Sequence, residues 1–439
     1  MPKKLCVDNS LHSGDILKLR IGEKTIFVKL KRRCKSLTFT ISAKIGRMFD
    51  TKENVTIMEK LELRKPDSED IVFEGGNVDL YRSLPIYSTR AKLEWNYCLL
   101  DDSLLLCIEP KHVRGTEFKY IIVPQYLDVE KLGLMCGLIF SDGFKKFGFE
   151  DFYGEKCKTT TTFQFTNGDP CVIKLFTTLT RDLLEIEPSE YNGNLSFPQK
   201  LSEEKTDKIR RFWEDSYGVR IKLISFRDTK NNKCPWGIAT IRIHKMVLAE
   251  FVVSLLRKLL KWTLCSQDKL AYIFKKEFIR GALIGDGSPI LDKGVLRRYM
   301  ISIETKKEGE LYVELLNSLG IESRLLWTKD EKVAPYLRKV DLRGEYKFLE
   351  KIVYAFPLGI FINGDFLGSL EKELKALHGL FRHSKCHVKD HKKLIDLAEK
   401  IDVRFKADLY KLKEAGIQLP KVYEEYCLNR IPLPIKSRK

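Results

Sequence analysis

Two stretches decide the fold of this chain: Met135-Cys-Gly-Leu-Ile-Phe-Ser-Asp-Gly143 and Ile279-Arg-Gly-Ala-Leu-Ile-Gly-Asp-Gly287. Each is apolar and helical in pattern. Each carries small residues four apart, Gly137 and Ser141 in one, Gly281 and Gly285 in the other. That spacing puts them on one helical face. Two such faces pack with their backbones nearly touching, because no side chain intervenes. Glycine inside a helix costs about 0.5–1 kcal/mol against alanine, so glycines kept at these positions point to close approach. Each stretch then closes on Asp-Gly, with the glycine suited to a left-handed position that stops the helix. Asp142 and Asp286 stand on the last turns, where a carboxylate opposes the helix dipole. Packed side by side, the helices bring the two acids together. Adjacent carboxylates repel unless a proton or a cation lies between them. Mg2+ (or Mn2+) takes a few carboxylates plus water and phosphate oxygens, so metal-assisted phosphodiester hydrolysis is the expected chemistry.

Outward from these helices the same succession is read twice. After the first come a strand at 159–165, a helix at 172–184, strands at 221–226 and 238–243, and a helix at 246–262. After the second come a strand at 299–304, a helix at 309–319, strands at 323–327 and 339–342, and a helix at 346–354. Gly218-Val-Arg-Ile-Lys-Leu-Ile matches Gly320-Ile-Glu-Ser-Arg-Leu-Leu in pattern. The expected fold is therefore α+β, a pseudo-symmetric pair of αββαββα half-domains at 123–265 and 266–365. The first copy is the longer. Its excess is read as an insertion near 185–217, with Asn192-Gly-Asn194 as a turn and a polar helix from Glu203.

Composition sets the partner class. Lys+Arg number 78 against 60 Asp+Glu, a net +18, which calls for a polyanion. The best apolar run, 247–260, is broken by Glu250, Arg257 and Lys258, so no membrane span is expected. The start of the chain lacks the apolar core of a secretory signal. Eleven cysteines include no Cys-x-x-Cys pair, against zinc ribbons and thioredoxin-type sites. A cytoplasmic protein with reduced thiols, nucleoid-associated if prokaryotic, is the expectation.

The paired stretches resemble the motifs of the LAGLIDADG homing endonuclease family. Met135–Gly143 is similar to the first motif and Ile279–Gly287 to the second, and Phe278-Ile-Arg-Gly-Ala-Leu-Ile-Gly-Asp-Gly is the nearer of the two. The resemblance covers residues 124–356. It implies the two-motif, single-chain type, a monomer with an internal pseudo-two-fold. It implies that the motif helices form the interface between half-domains and that curved sheets make a saddle over the DNA major groove. It also implies that Asp142 and Asp286 bind metal and each cut one strand. Phe140 and Ile284 stand where an earlier acid of the motif is often found. The family uses basic residues near its metals, for which Lys261 and Lys339 are the candidates. Strand pairs at 221–243 and 323–342 are expected to face double-stranded DNA, with Lys222, Arg227, Lys230, Arg324, Lys329, Arg338 and Arg343 around them. The expected function is site-specific DNA cleavage of the homing type. The rival is a catalytically silent DNA-binding regulator or an RNA-binding intron maturase. With Met1-Pro2 at one end and Lys436-Ser-Arg-Lys at the other, a free-standing or intron-encoded protein is expected rather than an intein.

The flanks differ in texture. Residues 1–122 read as a β-rich domain with strands at 16–21, 25–31, 37–41, 55–63, 71–73, 99–108 and 120–123, and one short helix, Ser42–Phe49. Leu37–Phe49 followed by Val55-Thr-Ile resembles the cradle-loop barrels, which include AbrB-type regulators and the double-psi barrels of AAA+ unfoldase N-domains; this implies a barrel-like domain. Residues 366–439 read as a basic helical extension. From 375 onward they hold 16 Lys+Arg against 8 Asp+Glu. Such a tail is expected to contact phosphates, and its removal to weaken DNA binding without changing the site chosen. Within it His383, Cys386, His387, Asp390 and His391 share a helical face with zinc-like spacing. Lys385, Lys389, Lys392 and Lys393 surround them and favour phosphate instead.

Overall fold

A computed structural model describes residues 11–21, 23–33, 36–38, 55–87, 94–108, 119–143, 162–198, 200–226, 235–327, 339–342, 359–362, 365–381 and 391–428. The chain is mixed α+β and forms two compact units. One is Met1–Glu74 with Val78–Tyr126 and Glu250–Lys258; the other is Gly75–Asn77 with Leu127–Ala249 and Leu259–Lys439. The sequence pattern predicts four regions. Most of 123–265, all of 266–365 and the segment after residue 366 fall together in the second unit.

The first unit is mostly strand: β1 (Ile16–Ile21), β2 (Lys24–Lys29), β3 (Lys31–Arg33), β4 (Ser36–Thr38), β5 (Val55–Leu61), β6 (Phe73–Glu74), β7 (Asn77–Asp79), β8 (Trp95–Leu100), β9 (Ser103–Ile108) and β10 (Tyr120–Pro124), with a single turn of helix, α1 (Leu80–Ser83). Its main sheets run β2-β1-β5 and β10-β9-β8. Alternation along β1 buries Leu17, Leu19 and Ile21 together with Ile26 and Val28 of β2. The run at 99–108 is predicted as one strand but is a hairpin. The chain reverses at Asp101, whose φ of 49° is left-handed, a conformation that aspartate tolerates. Among the described residues no sheet closes into a barrel, and Ser42–Phe49 lies outside them. Lys258, one of the charges that break the apolar run, donates to the carbonyls of Ser68 (3.1 Å) and Leu84 (3.0 Å). Its burial pushes the ammonium down to about 8.

The second unit comprises β11 (Tyr126–Asp128), α2 (Val129–Asp142), β12 (Phe163–Asn167), α3 (Pro170–Leu184), β13 (Asn192–Phe197), α4 (Glu203–Tyr217), β14 (Ile221–Phe226), β15 (Ile238–Ile243), α5 (Met246–Cys265), α6 (Lys269–Gly285), β16 (Gly287–Asp292), β17 (Val295–Ser302), α7 (Lys306–Ser318), β18 (Ser323–Leu326), β19 (Lys339–Leu342), β20 (Gly359–Ile362), β21 (Asp365–Gly368), α8 (Leu370–Phe381), α9 (His391–Glu414) and α10 (Lys421–Cys427). Part of α5 belongs to the first unit. At its centre α2 and α6 pack along their length. Both start at an aspartate cap: Asp128 accepts the Lys131 amide (2.7 Å) and Asp268 the Ala271 amide (2.7 Å), satisfying donors that a helix start leaves open. A Cβ built on Gly281 would lie 2.5 Å from the Leu134 carbonyl oxygen and 2.8 Å from the Leu138 nitrogen. One on Gly137 would lie 2.9 Å from the Phe278 carbonyl carbon, and one on Gly133 would lie 2.9 Å from the Phe274 carbonyl oxygen. Gly133 extends the small-residue row one turn beyond what the pattern predicts.

The glycines after the two acids behave differently from expectation. Gly143 has φ −81° and ψ −132°, and Gly287 also avoids the left-handed region. Here the chain folds back over the helix end. A Cβ on Gly143 would meet Cα of Ile139 at 2.8 Å, and one on Gly287 would meet Cα of Leu283 at 2.5 Å. Glycine is required by crowding rather than by a positive φ.

Two four-stranded sheets accompany these helices, in the orders β12-β15-β13-β14 and β16-β17-β19-β18. The second is antiparallel throughout, with β18 directly beside β19 (Leu325 opposite Val340). In the first, the expected pair β14–β15 is split. β13 lies between them, antiparallel to β15 and parallel to β14. The segment read as an insertion therefore supplies a central strand, and Asn192-Gly193-Asn194 is its beginning rather than a turn. Gly193 serves close approach, since a Cβ there would lie 2.7 Å from the Arg220 carbonyl oxygen on the neighbouring segment. The helix expected at 346–354 lies outside the described residues.

The C-terminal helices are built into this unit. Tyr217 donates to the buried Asp408 carboxylate (2.5 Å), Tyr423 donates to Glu371 (2.8 Å), and Trp236 meets Phe405 with centroids 5.6 Å apart. The described helices α8, α9 and α10 are thus packed into the unit rather than held apart as an arm. Arg404 and Lys406 of α9 are spent on Asp408 (3.3 Å) and Asp402 (3.1 Å). Among the described residues no helix is long and apolar enough to cross a membrane. Gly137→Ala and Gly281→Ala are each expected to lower stability by roughly 1–3 kcal/mol through overpacking, although alanine is the better helix former by about 1 kcal/mol. Urea unfolding checks this, and a stability gain at either position contradicts the backbone contact.

Candidate functional site

The C-terminal ends of α2 and α6 lie together. A Cβ on Gly285 would fall 2.8 Å from Oδ2 of Asp142 and 2.7 Å from Cβ of Ser141, so the Asp142 carboxylate rests against the residue that precedes Asp286. Ser141 turns its hydroxyl back onto the carbonyls of Gly137 and Leu138 (3.1 Å each). Asp286 is the C-cap of α6, and its N–H donates to the Ala282 carbonyl (2.9 Å). Asp142 and Asp286 are both half-exposed. Asn167, at the end of β12, donates from Nδ2 to Oδ2 of Asp142 (2.8 Å), which fixes the rotation of that carboxylate. Phe140 packs on Phe278 and Tyr312, with centroids 5.3 and 5.6 Å away. The Tyr312 hydroxyl is buried with no hydrogen-bond partner among the described residues. Burial pushes its phenol far up, helped by the carboxylates of Glu308, Asp286 and Asp142.

The cation that meets these acids is Lys372 of α8. Its Nζ donates to the Ile284 carbonyl (2.6 Å) and to the Gly285 carbonyl. These are last-turn oxygens that α6 leaves open, at the negative end of its dipole. Burial pushes the Lys372 ammonium below the usual lysine range, while Asp142, then Asp286, Asp169 and Glu371, pull it back up. Lys372 was not a candidate in the sequence, where it sits within Leu370-Glu-Lys-Glu-Leu-Lys. No local signal separates it from the neighbouring lysine. Lys261 is exposed on α5 and Lys339 opens β19.

Asp169 completes the surroundings as the N-cap of α3, accepting the Cys171 amide (3.0 Å). Burial pushes its carboxyl up to about 7, against the pull of the Cys171 and Ser369 hydrogen bonds. An oxygen-only donor set of two half-exposed carboxylates fits a hard divalent cation whose other ligands are waters and phosphate oxygens. Asp142 and Asp286 are the residues that would hold it. Among the described residues no group of three or more His, Cys, Asp or Glu forms a ready metal cage. His383, Cys386, His387 and Asp390 lie outside those residues.

The first sheet presents a polar face. Gln164, Arg242 and Asn192 share one cross-strand row, and Thr166, Thr240 and Asn194 the next. All six are half-buried, while Phe163, Phe165, Leu195, Ile241 and Ile243 point into the core. Thr166 and Thr240 hydroxyls are hydrogen-bonded at 3.1 Å, and Nε of Arg242 is buried with no partner among the described residues. Amides, hydroxyls and a guanidinium are the groups that read base edges. Attention to charge alone passed over them, although strict alternation in 163–167 and 238–243 marks them. Lys222 on β14 and Arg324 on β18 are exposed; Arg227, Lys230, Lys329, Arg338 and Arg343 lie outside the described residues. Comparison of the chain with protein-family models and with curated proteins finds no match.

Asp169 yields a pH prediction. Between its ordinary value of 3.8 and about 7, the unfolded chain has released the proton while the folded chain holds it. Its contribution to stability therefore falls as pH rises through that window and is flat above it. Asp169→Asn keeps the cap and removes the titration. The stability of the variant relative to the parent should climb from pH 4 to pH 7 and then level, as followed by thermal unfolding across pH.

Proposed function

We propose that the chain is a site-specific double-stranded DNA endonuclease of the LAGLIDADG homing type, with Asp142 and Asp286 as its metal-binding acids. One observation supports the reading: two small-residue helices in backbone contact end in two aspartates whose charges both act on the buried Lys372. When bound there, Mg2+ or Mn2+ supplies Lewis-acid stabilisation of the charge that builds on a phosphate. Asn167 orients Asp142. Lys372 holds positive potential at the acid pair and ties α8 to the end of α6. The rows Gln164–Arg242–Asn192 and Thr166–Thr240–Asn194 offer base-reading groups, and Lys222 and Arg324 offer phosphate contacts. The two helix–sheet halves are read as a pseudo-symmetric pair in a monomer.

A second reading is favoured by Lys372 itself. Its ammonium already offsets part of the charge that a metal would neutralise, which suits a catalytically silent DNA-binding regulator or an RNA-binding intron maturase. Cleavage of a high-affinity site selected from random duplexes decides between them. Asp142→Asn and Asp286→Asn should each abolish Mg2+-dependent cutting and leave binding within a few-fold. Lys372→Met should cut at least about ten-fold more slowly, a loss of about 1.4 kcal/mol or more in transition-state stabilisation. A parent protein that binds its selected site and never cuts it sinks the endonuclease reading and leaves the silent one standing.

A further inference from the structure

Beside the acid pair, the second unit forms an open cavity of about 900 Å³. That is at the upper end of the range for small-molecule sites. One wall is aromatic. Trp236, Phe405 and Tyr423 form a triad with centroids 5.6 Å (Trp236–Phe405), 6.0 Å (Trp236–Tyr423) and 6.0 Å (Phe405–Tyr423) apart. The polar side is contributed by Lys372, Lys375 and Asp169. Lys372 spends two of its three donors on the Ile284 and Gly285 carbonyls. Lys375 is about half-exposed and pairs with Glu371 at 2.5 Å, a contact of the kind that an incoming anion displaces at small cost. The aromatic wall is drawn from three distant parts of the chain: the segment before β15, α9 and the α10 region.

From this arrangement we infer that the cavity is a binding site for one nucleoside monophosphate, its base against the Trp236–Phe405–Tyr423 wall and its phosphate at Lys372 and Lys375. A flat heteroaromatic ring gains stacking on such a wall whatever its identity. A phosphate supplies the charge-assisted acceptors that two lysines require. The site stands whether or not the chain cuts DNA. The nucleotide has two sources, a free monophosphate or a nucleotide unstacked from a strand, and the same chemistry serves both.

The test uses the full chain. Calorimetric titration with AMP, GMP, CMP and UMP should show one site per chain, with tryptophan fluorescence quenched on binding. Lys375→Glu, a change at an exposed position, should weaken binding about ten-fold, equivalent to about 1.4 kcal/mol. Trp236→Phe should remove the quenching and retain binding. A single-stranded oligonucleotide carrying 2-aminopurine separates the sources. Quenching of that base, reversed by AMP, assigns the site to a strand nucleotide; AMP binding that ignores the oligonucleotide assigns it to free nucleotide. The inference is overturned if no monophosphate binds at millimolar concentration. It is overturned equally if inorganic phosphate alone binds as tightly as AMP, or if binding is indifferent to both Lys375→Glu and Trp236→Phe.

Discussion

The contact on which the second unit depends is the meeting of two helix backbones. At Gly137 and Gly281 there is no room for a methyl group. Dispersion falls steeply with separation, so two helices at this distance gain contact along their whole length. The gain offsets the helix propensity that the glycines forfeit. The approach also fixes registry. With Gly137 against Phe278 and Gly281 against Leu134, the ends of the two helices have no freedom to slide. Asp142 and Asp286 arrive at the same level because of contacts made one and two turns earlier.

That placement creates an electrostatic problem. Carboxylates and open carbonyls gather where two helix dipoles present their negative ends. The chain answers part of it internally. Lys372 takes the carbonyls of Ile284 and Gly285, Asn167 takes an oxygen of Asp142, and aromatic rings from Phe140, Phe278 and Tyr312 close the apolar side. Nothing in this set needs the C-terminal helices to be an accessory. α8 is as much a part of the site as α2 or α6.

The motif helices, their small faces and their terminal acids were legible because helical periodicity and glycine spacing are local properties of the chain. The strands β14, β15, β18 and β19 were legible for the same reason. What stayed hidden was tertiary. Lys372 is one lysine in an amphipathic run, and only the fold of α8 onto α6 selects it. Asn192-Gly193-Asn194 has the composition of a hairpin turn, yet Gly193 serves close approach to Arg220. Asp101 bends a run that alternation alone would carry straight through. Net charge drew attention to lysines and arginines, whereas the first sheet displays amides and hydroxyls. Two cations of the last helices are engaged internally, since α9 pairs Arg404 and Lys406 with its own aspartates.

β13 has a geometric consequence. Strands in a sheet stand about 4.8 Å apart. Inserting one between β15 and β14 moves β14 outward by that amount, whereas β18 remains against β19. Both sheets still end after four strands, with Lys222 and Arg324 each on an edge strand. What differs is the pairing behind those edges: β14 runs parallel to its neighbour β13, whereas β18 runs antiparallel to β19. Parallel and antiparallel ladders space their hydrogen bonds differently. Symmetric proteins match palindromes. For a DNA-binding reading, two edges of unlike geometry favour a target whose halves differ, and a single chain is free to specify it.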